Sequence, residues 1–189
     1  MINVKALLSS QDRTNVYDRV VSFKNRLQAN GLANFHFIHR VDGRTLDLIR
    51  FSTFSIRNIR SDIVHIFEPL FPNSPVNIII EKLAKRPIIL DTGDVHSSHA
   101  EITGMPTLES TLLRLMEELA MRSSIKIVVR GRGHRELLIS SGIDPDRLAW
   151  IPDGIDFGMF CPAKSEFRQI LGVEDKLAVG YVGTLRNIV

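Results

Sequence analysis

The sequence predicts an α/β domain built on a parallel sheet with helices on both faces. Apolar runs of strand length alternate with amphipathic helical stretches along nearly all of the chain. The strand-length runs are close to continuously apolar rather than alternating, as strands covered on both faces must be. Glycines fall where helices should stop, and prolines where strands or helices begin and end.

Val4–Leu8 is the first such run. Val16, Val20, Phe23 and Leu27 then recur at helical spacing, and Gly31 follows as a C-terminal cap. Phe35–His39 and Ile63–Phe67 read as the second and third strands. Pro75 opens a helix that runs to about Lys85, and Pro87–Asp91 is a fourth strand. Leu108, Leu112, Leu115 and Leu119 mark a further helix by their stripe, which on this pattern should face the core. Ile125–Val129 is a strand, Arg135–Ser140 is helical with Gly142 as its cap, and Leu148–Ile151 is a strand ending at Pro152. Lys164–Leu171 is expected to be helical, and Leu177–Val182 to be a last strand.

The chain has 189 residues, 44% of them hydrophobic, with 24 Lys+Arg against 21 Asp+Glu and a net charge of +3. That is the composition of a folded globular protein large enough to bury a core without staples, not of a disordered or collagen-like chain. Cys161 is the only cysteine, so an intrachain disulfide and a cysteine zinc site are excluded. At 7% aromatic residues and with little clustering of basic ones, the chain does not read as a nucleic-acid binder. No signal peptide and no apolar stretch of membrane-spanning length is present in the sequence, so a cytoplasmic protein is expected.

The stretch Ile151-Pro-Asp-Gly-Ile-Asp-Phe-Gly-Met-Phe-Cys-Pro162 resembles the interdomain linker of retaining glycosyltransferases of family four. These enzymes have the two-Rossmann-domain (GT-B) architecture, and their linker reads Ile-Pro-Asn-Gly-Val-Asp…Phe-x-Pro. The surrounding order is similar too, with Gly142-Ile-Asp-Pro-Asp-Arg-Leu before it, and Phe167-Arg-Gln-Ile-Leu-Gly and Val179-Gly-Tyr-Val-Gly-Thr-Leu185 after it. Upstream, Tyr17-Asp-Arg-Val, Asp62-Ile-Val-His-Ile-Phe and Pro87-Ile-Ile-Leu-Asp-Thr-Gly-Asp94 look like the first helix and middle strands of the family. The resemblance implies an amino-terminal acceptor-side Rossmann-like domain over residues 1–151, a linker over 152–162, and the start of a nucleotide-sugar-binding domain over 163–189. The physical reading of the linker agrees: Pro152 ends a strand, Gly154 turns the chain and Pro162 restarts it, as at a hinge. An ordinary surface loop within one domain is the competing reading.

The candidate site residues lie at the carboxyl ends of the strands, where ligands bind in open α/β sheets. Asp94 and His96, after the fourth strand, are expected to position acceptor hydroxyls or handle a proton. Asp91 reads instead as a structural cap. Glu68, at the exit of the third strand, is a further acceptor-binding candidate. In Arg130-Gly-Arg-Gly-His-Arg135, Arg130 and Arg132 with a helix start would suit a diphosphate, or else form a solvated basic loop. The resemblance places Gly183 and Thr184 at the donor phosphates. The segment Arg44–Arg60, with Asp47, Arg50, Arg57 and Arg60 at helical spacing, would suit peripheral contact with an anionic membrane, or serve as an ordinary surface helix.

The resemblance implies transfer of a sugar, with retention, from a nucleotide-sugar donor to an acceptor hydroxyl on a sugar or lipid-linked acceptor. It implies no metal and no cofactor. The family's donor-binding basic pair and acidic helix start lie beyond the point this chain reaches, so the chain alone should transfer little or nothing. The alternative is a non-catalytic α/β fragment or partner subunit that needs a separate donor-binding chain. A dinucleotide-dependent dehydrogenase is disfavoured, because Ser9–Thr14 after the first strand contains no glycine.

Overall fold

The computed structural model describes residues 1–8, 15–39, 60–68, 73–97, 100, 104–155, 157–158 and 166–181. The chain divides into two compact units, Met1–Asp153 and Gly154–Val189.

The first unit holds the strands β1 (Ile2–Leu8), β2 (Ala33–His39), β3 (Ile63–Phe67), β4 (Ile88–Thr92), β5 (Lys126–Val129) and β6 (Leu148–Trp150). Its helices are α1 (Asn15–Ala29), α2 (Asn73–Leu83), α3 (Thr107–Ser123) and α4 (Arg132–Ser140). All neighbouring strands pair in parallel, in the order β2-β1-β3-β4-β5-β6. The order reverses between β1 and β3, which makes their carboxyl ends the topological switch point of the sheet.

Alternation within the strands sorts side chains into two cores. Val4, Ala6 and Leu8 of β1, Phe35 of β2 and Phe67 of β3 pack with Val20, Phe23 and Leu27 of α1. On the other face Leu7, Val64, Ile66, Leu90, Ile127 and Val129 pack with Ile78 of α2, Ala120 and Met121 of α3, and Leu138 of α4. This is the Rossmann-like α/β arrangement the sequence predicts. Helix α1 ends as expected: Gly31 takes a positive φ of 67°, and Leu32 N–H donates back to Leu27 O.

Two expectations are corrected. Helix α3 exists, but the stripe Leu108, Leu112 and Leu115 is exposed, and the helix buries Ser110, Glu117, Ala120 and Met121 instead. A second apolar face, supplied by Leu113, Met116, Ala120 and Met121, competes with the leucines, and Glu117 finds backbone donors that let it go inside. The expected strand Leu177–Val182 is not formed over the described residues 177–181, where Leu177, Val179 and Tyr181 are exposed. A strand needs a partner to satisfy its backbone, and the second unit supplies none among its described residues. That unit contains the short helix α5 (Phe167–Ile170), with Arg168 donating to the carbonyls of Val173, Glu174 and Lys176. Of the basic segment Arg44–Arg60 only Arg60 is described, exposed and outside any helix; the rest lies outside the described residues.

Among the described residues no helix is long and apolar enough to cross a membrane.

Candidate functional site

Beyond Phe67 the chain turns sharply. Glu68 adopts a left-handed backbone (φ 60°), its N–H donating to Asp91 O at 2.9 Å. A non-glycine residue in this region carries strain of about 1–3 kcal/mol, which a functional site can retain. The carboxylate is buried and engaged at both oxygens: Oε1 accepts from Arg130 Nη2 (2.9 Å), and Oε2 pairs with His96 Nε2 (2.6 Å). Arg130 leaves the end of β5 and lies over the turn after β4. Gly93 permits this, because a Cβ there would come within 2.7 Å of Arg130 Nη1.

Beside this group sits a second, deeper one. Arg19 Nε of α1 donates to both oxygens of the fully buried Asp91, at 3.2 and 3.0 Å. The other nitrogens of Arg19 reach the exit of β6, with Nη1 to Asp153 Oδ1 at 2.6 Å and Nη2 to Ile151 O at 3.0 Å. Arg130 Nε lies 3.6 Å from Asp91 Oδ1 and joins the two groups. Burial pushes the Asp91 carboxyl above its usual value, against the charge and hydrogen bond of Arg19 and the charge of Arg130.

The third layer is helical. The backbone N–H groups of His96 and Ser97 donate to the two carboxylate oxygens of buried Glu117 (2.6 and 3.0 Å), so α3 caps the helical residues that carry His96. Burial alone would lower the His96 pKa. The hydrogen bond and charge of Glu68, with Glu117 and Asp94 adding, outweigh it and hold the imidazole above its usual 6.5. His134, in the first turn of α4, goes the other way: burial pushes it down despite the charges of Asp94, Glu117 and Glu68. The site thus combines a ring disposed to keep its proton with one disposed to stay neutral, the pattern by which a site separates acid from base.

A Glu68→Gln substitution should therefore lower the His96 pKa, because burial is then opposed only by the charges of Glu117 and Asp94. Histidine NMR titration of both proteins reads this directly, and an unchanged His96 midpoint would refute the pairing. The stability tied to the raised value is fully present below about pH 6.5 and is lost as pH rises through the folded pKa. The variant's stability deficit should accordingly shrink in alkaline buffer.

Of the residues singled out by sequence, Glu68, His96 and Arg130 are in direct contact. Asp94 is exposed on the turn between them, its carbonyl accepting from Thr92 Oγ1 (2.9 Å). Arg132 is placed differently, its guanidinium stacked on the Trp150 ring at 4.6 Å. Gly183 and Thr184 lie outside the described residues. Asp91 is no loop cap but the buried partner of Arg19. Sequence reasoning missed Arg19, Glu117, His134 and Asp153. Only Arg19 carried a signal: it sits on the apolar stripe of α1, three residues after Val16 and four before Phe23. Among the described residues no three His, Cys, Asp or Glu side chains are grouped to hold a metal ion.

No protein-family model matches the chain, and no curated protein matches it in sequence. Solved structures match it in shape. Anabaena HepE, solved with UDP and glucose, superposes with a TM-score of 0.56 at 14% identity over 91% of this chain and 50% of its own. S. aureus MnaA, solved with UDP, gives 0.60 at 10% identity over 91% and 52%. The UDP-GlcNAc 2-epimerase of Methanocaldococcus jannaschii gives 0.53 at 11% identity over 79% and 45%. The chain spans about half the length of these proteins, and at such identities the likeness is one of fold: a Rossmann-like α/β sheet, as expected for a GT-B domain.

Proposed function

We propose that the chain forms one lobe of a GT-B glycosyltransferase of retaining family four, acting on a nucleotide-sugar donor and a hydroxyl-bearing acceptor. The observation that supports this reading is the Glu68–His96–Arg130 cluster at the carboxyl ends of β3, β4 and β5, with Glu68 in a strained backbone turn, in a fold shared with proteins solved with UDP or UDP-glucose. Glu68, Asp94 and His96 would receive the acceptor. Sugar hydroxyls would exchange into the hydrogen bonds among His96, Glu68 and Arg130, whose cationic groups are already matched by Glu68, Asp91 and Asp153. Arg130 would position the ligand through these pairings as well as meet the donor's phosphates. Donor contacts through Arg132, Gly183 and Thr184, the split into domains at residues 151 and 163, and peripheral attachment to an anionic membrane belong to the same proposal. Catalysis rests on electrostatic stabilisation of the departing diphosphate, much of it supplied from the donor-binding domain.

A second reading is nucleotide-sugar epimerisation. It is favoured by the oppositely shifted His96 and His134, and by the epimerase named among the structures of like fold.

NMR of the isotopically labelled chain tests the assignment. Acceptor saccharides at millimolar concentration should shift the amide signals of Glu68, Asp94 and His96. UDP-sugars should bind more weakly than about 1 mM, with negligible turnover. Rapid donor hydrolysis by the chain alone, or no saccharide-dependent shift at those three residues, would overturn the acceptor-lobe reading. Deuterium exchange into a recovered UDP-sugar would favour the epimerase.

A further inference from the structure

The helical layer formed by α2 and α3 is apolar on its outer side as well as its inner one. On α3, Leu108, Leu112 and Leu115 are 73%, 43% and 53% exposed, roughly half a helical turn away from the buried Ser110, Glu117, Ala120 and Met121. On the adjacent α2, Val76, Ile79 and Leu83 are exposed in the same way, opposite the buried Asn77, Ile78 and Glu81. Two neighbouring helices thus turn six large apolar side chains away from the sheet. Scattered exposed leucines need no explanation, but outward rows of large apolar side chains on two neighbouring helices do.

The leucine row shows what fits it. Leu108, Leu112, Leu115 and the partly buried Leu119 are spaced four, three and four apart. That is the spacing of a helix–helix seam, and it reads the same in both directions. A copy of α3 laid antiparallel along the row sets Leu112 against Leu115 of the second copy at the centre and Leu108 over the edge of its Leu119, which also packs on the core.

The bordering charges are mixed. Glu109 and Glu118 stand beside the row with Arg122, which is paired to Glu118 at 2.6 Å. With Lys82 exposed beside Leu83 on α2, the border carries both signs, which suits a protein surface of like composition. Six aliphatic side chains exposed to this degree present on the order of 400 Å2 of apolar area. Homodimer contacts are about 65% apolar, so this fits an interface of roughly 600 Å2 per copy, at the lower bound for a stable complex.

We propose that this face joins two copies of the chain about a twofold axis, α3 against α3 antiparallel, with α2 completing the contact. The switch point and its charged cluster lie at the strand ends and stay outside the interface.

Sedimentation equilibrium of the 189-residue chain should show a monomer–dimer equilibrium with a micromolar Kd. The double substitution Leu112→Glu with Leu115→Glu should raise that Kd at least a hundredfold, with the circular dichroism spectrum and melting temperature retained. In a Cys161→Ser background, Leu112→Cys should cross-link to itself, whereas Leu108→Cys should not, because antiparallel packing sets its two copies about 16 Å apart along the helix axis. A chain that stays monomeric at about 100 μM overturns the proposal. So does a dimer indifferent to the glutamates, self-cross-linking through Leu108→Cys, or a monomer whose leucine face binds phosphatidylglycerol vesicles.

Discussion

Replacing Arg19 by alanine is expected to remove about 3–5 kcal/mol from the stability of the Met1–Asp153 unit. The substitution deletes both hydrogen bonds to Asp91 and leaves that carboxylate fully buried, with Arg130 at 3.6 Å as its nearest remaining cation. A loss of that size is a large part of what a domain has in total. It should also depend on pH in a definite direction. Burial already holds the Asp91 pKa above its unfolded value, and Arg19 is the chief group pulling it down. Without Arg19 the folded pKa rises further. A group raised in this way contributes stability that is present below the unfolded pKa and lost as pH rises through the folded one. The Arg19→Ala deficit should therefore be larger near pH 7.5 than near pH 5, shrinking as pH falls towards the raised folded pKa. Urea unfolding at the two values measures it, and an equal deficit at both would show that Asp91 is not the group left behind.

The second large effect is acid loss of stability at His65. This residue stacks on Phe67 (centroids 4.0 Å apart) and meets Phe23 edge-on (6.1 Å), with Nε2 buried and lacking a hydrogen-bond partner among the described residues. Burial, with the nearby charge of Arg19 adding, lowers its pKa to about 3. The unfolded chain binds a proton near pH 6.5 that the folded chain refuses, so the stability linked to His65 is present above that value and is lost as pH falls towards 3. At about 1.4 kcal/mol per unit, this reaches about 5 kcal/mol. A His65→Phe variant keeps the aromatic packing and has no proton to refuse. Its stability should fall much less between about pH 7 and pH 4 than that of the parent. Parallel pH curves for the two proteins would remove His65 from the account.

How far these features could be read from sequence depended on what each residue packs against. Strands such as Ile63–Phe67 were legible because burial on both faces leaves a run that is apolar at every position but one, His65. Glu68, Asp94, His96 and Arg130 stood out as polar residues directly after such runs, and the structure brings Glu68, His96 and Arg130 together. Arg19 and Glu117 did not, because a charge within a helix is ordinarily assigned to solvent. Their partners, Asp91 and the N–H groups of His96 and Ser97, are 72, 21 and 20 residues away in sequence. The leucine row of α3 misled for the opposite reason: periodicity finds an apolar face but cannot say whether the core or another surface covers it. Residues 177–181 had the composition of a strand, and composition supplies no neighbour to pair with.

The tie from Arg19 to Asp153 spans 134 residues. During synthesis Arg19 leaves the ribosome with the first helix, whereas Asp153 and the carbonyl of Ile151 emerge only after the sixth strand has been made. The first sheet pairings can form early, but the charged cluster cannot close until the whole unit has been translated. An arrested nascent chain ending before residue 151 would hold Arg19 with only part of its ligand set.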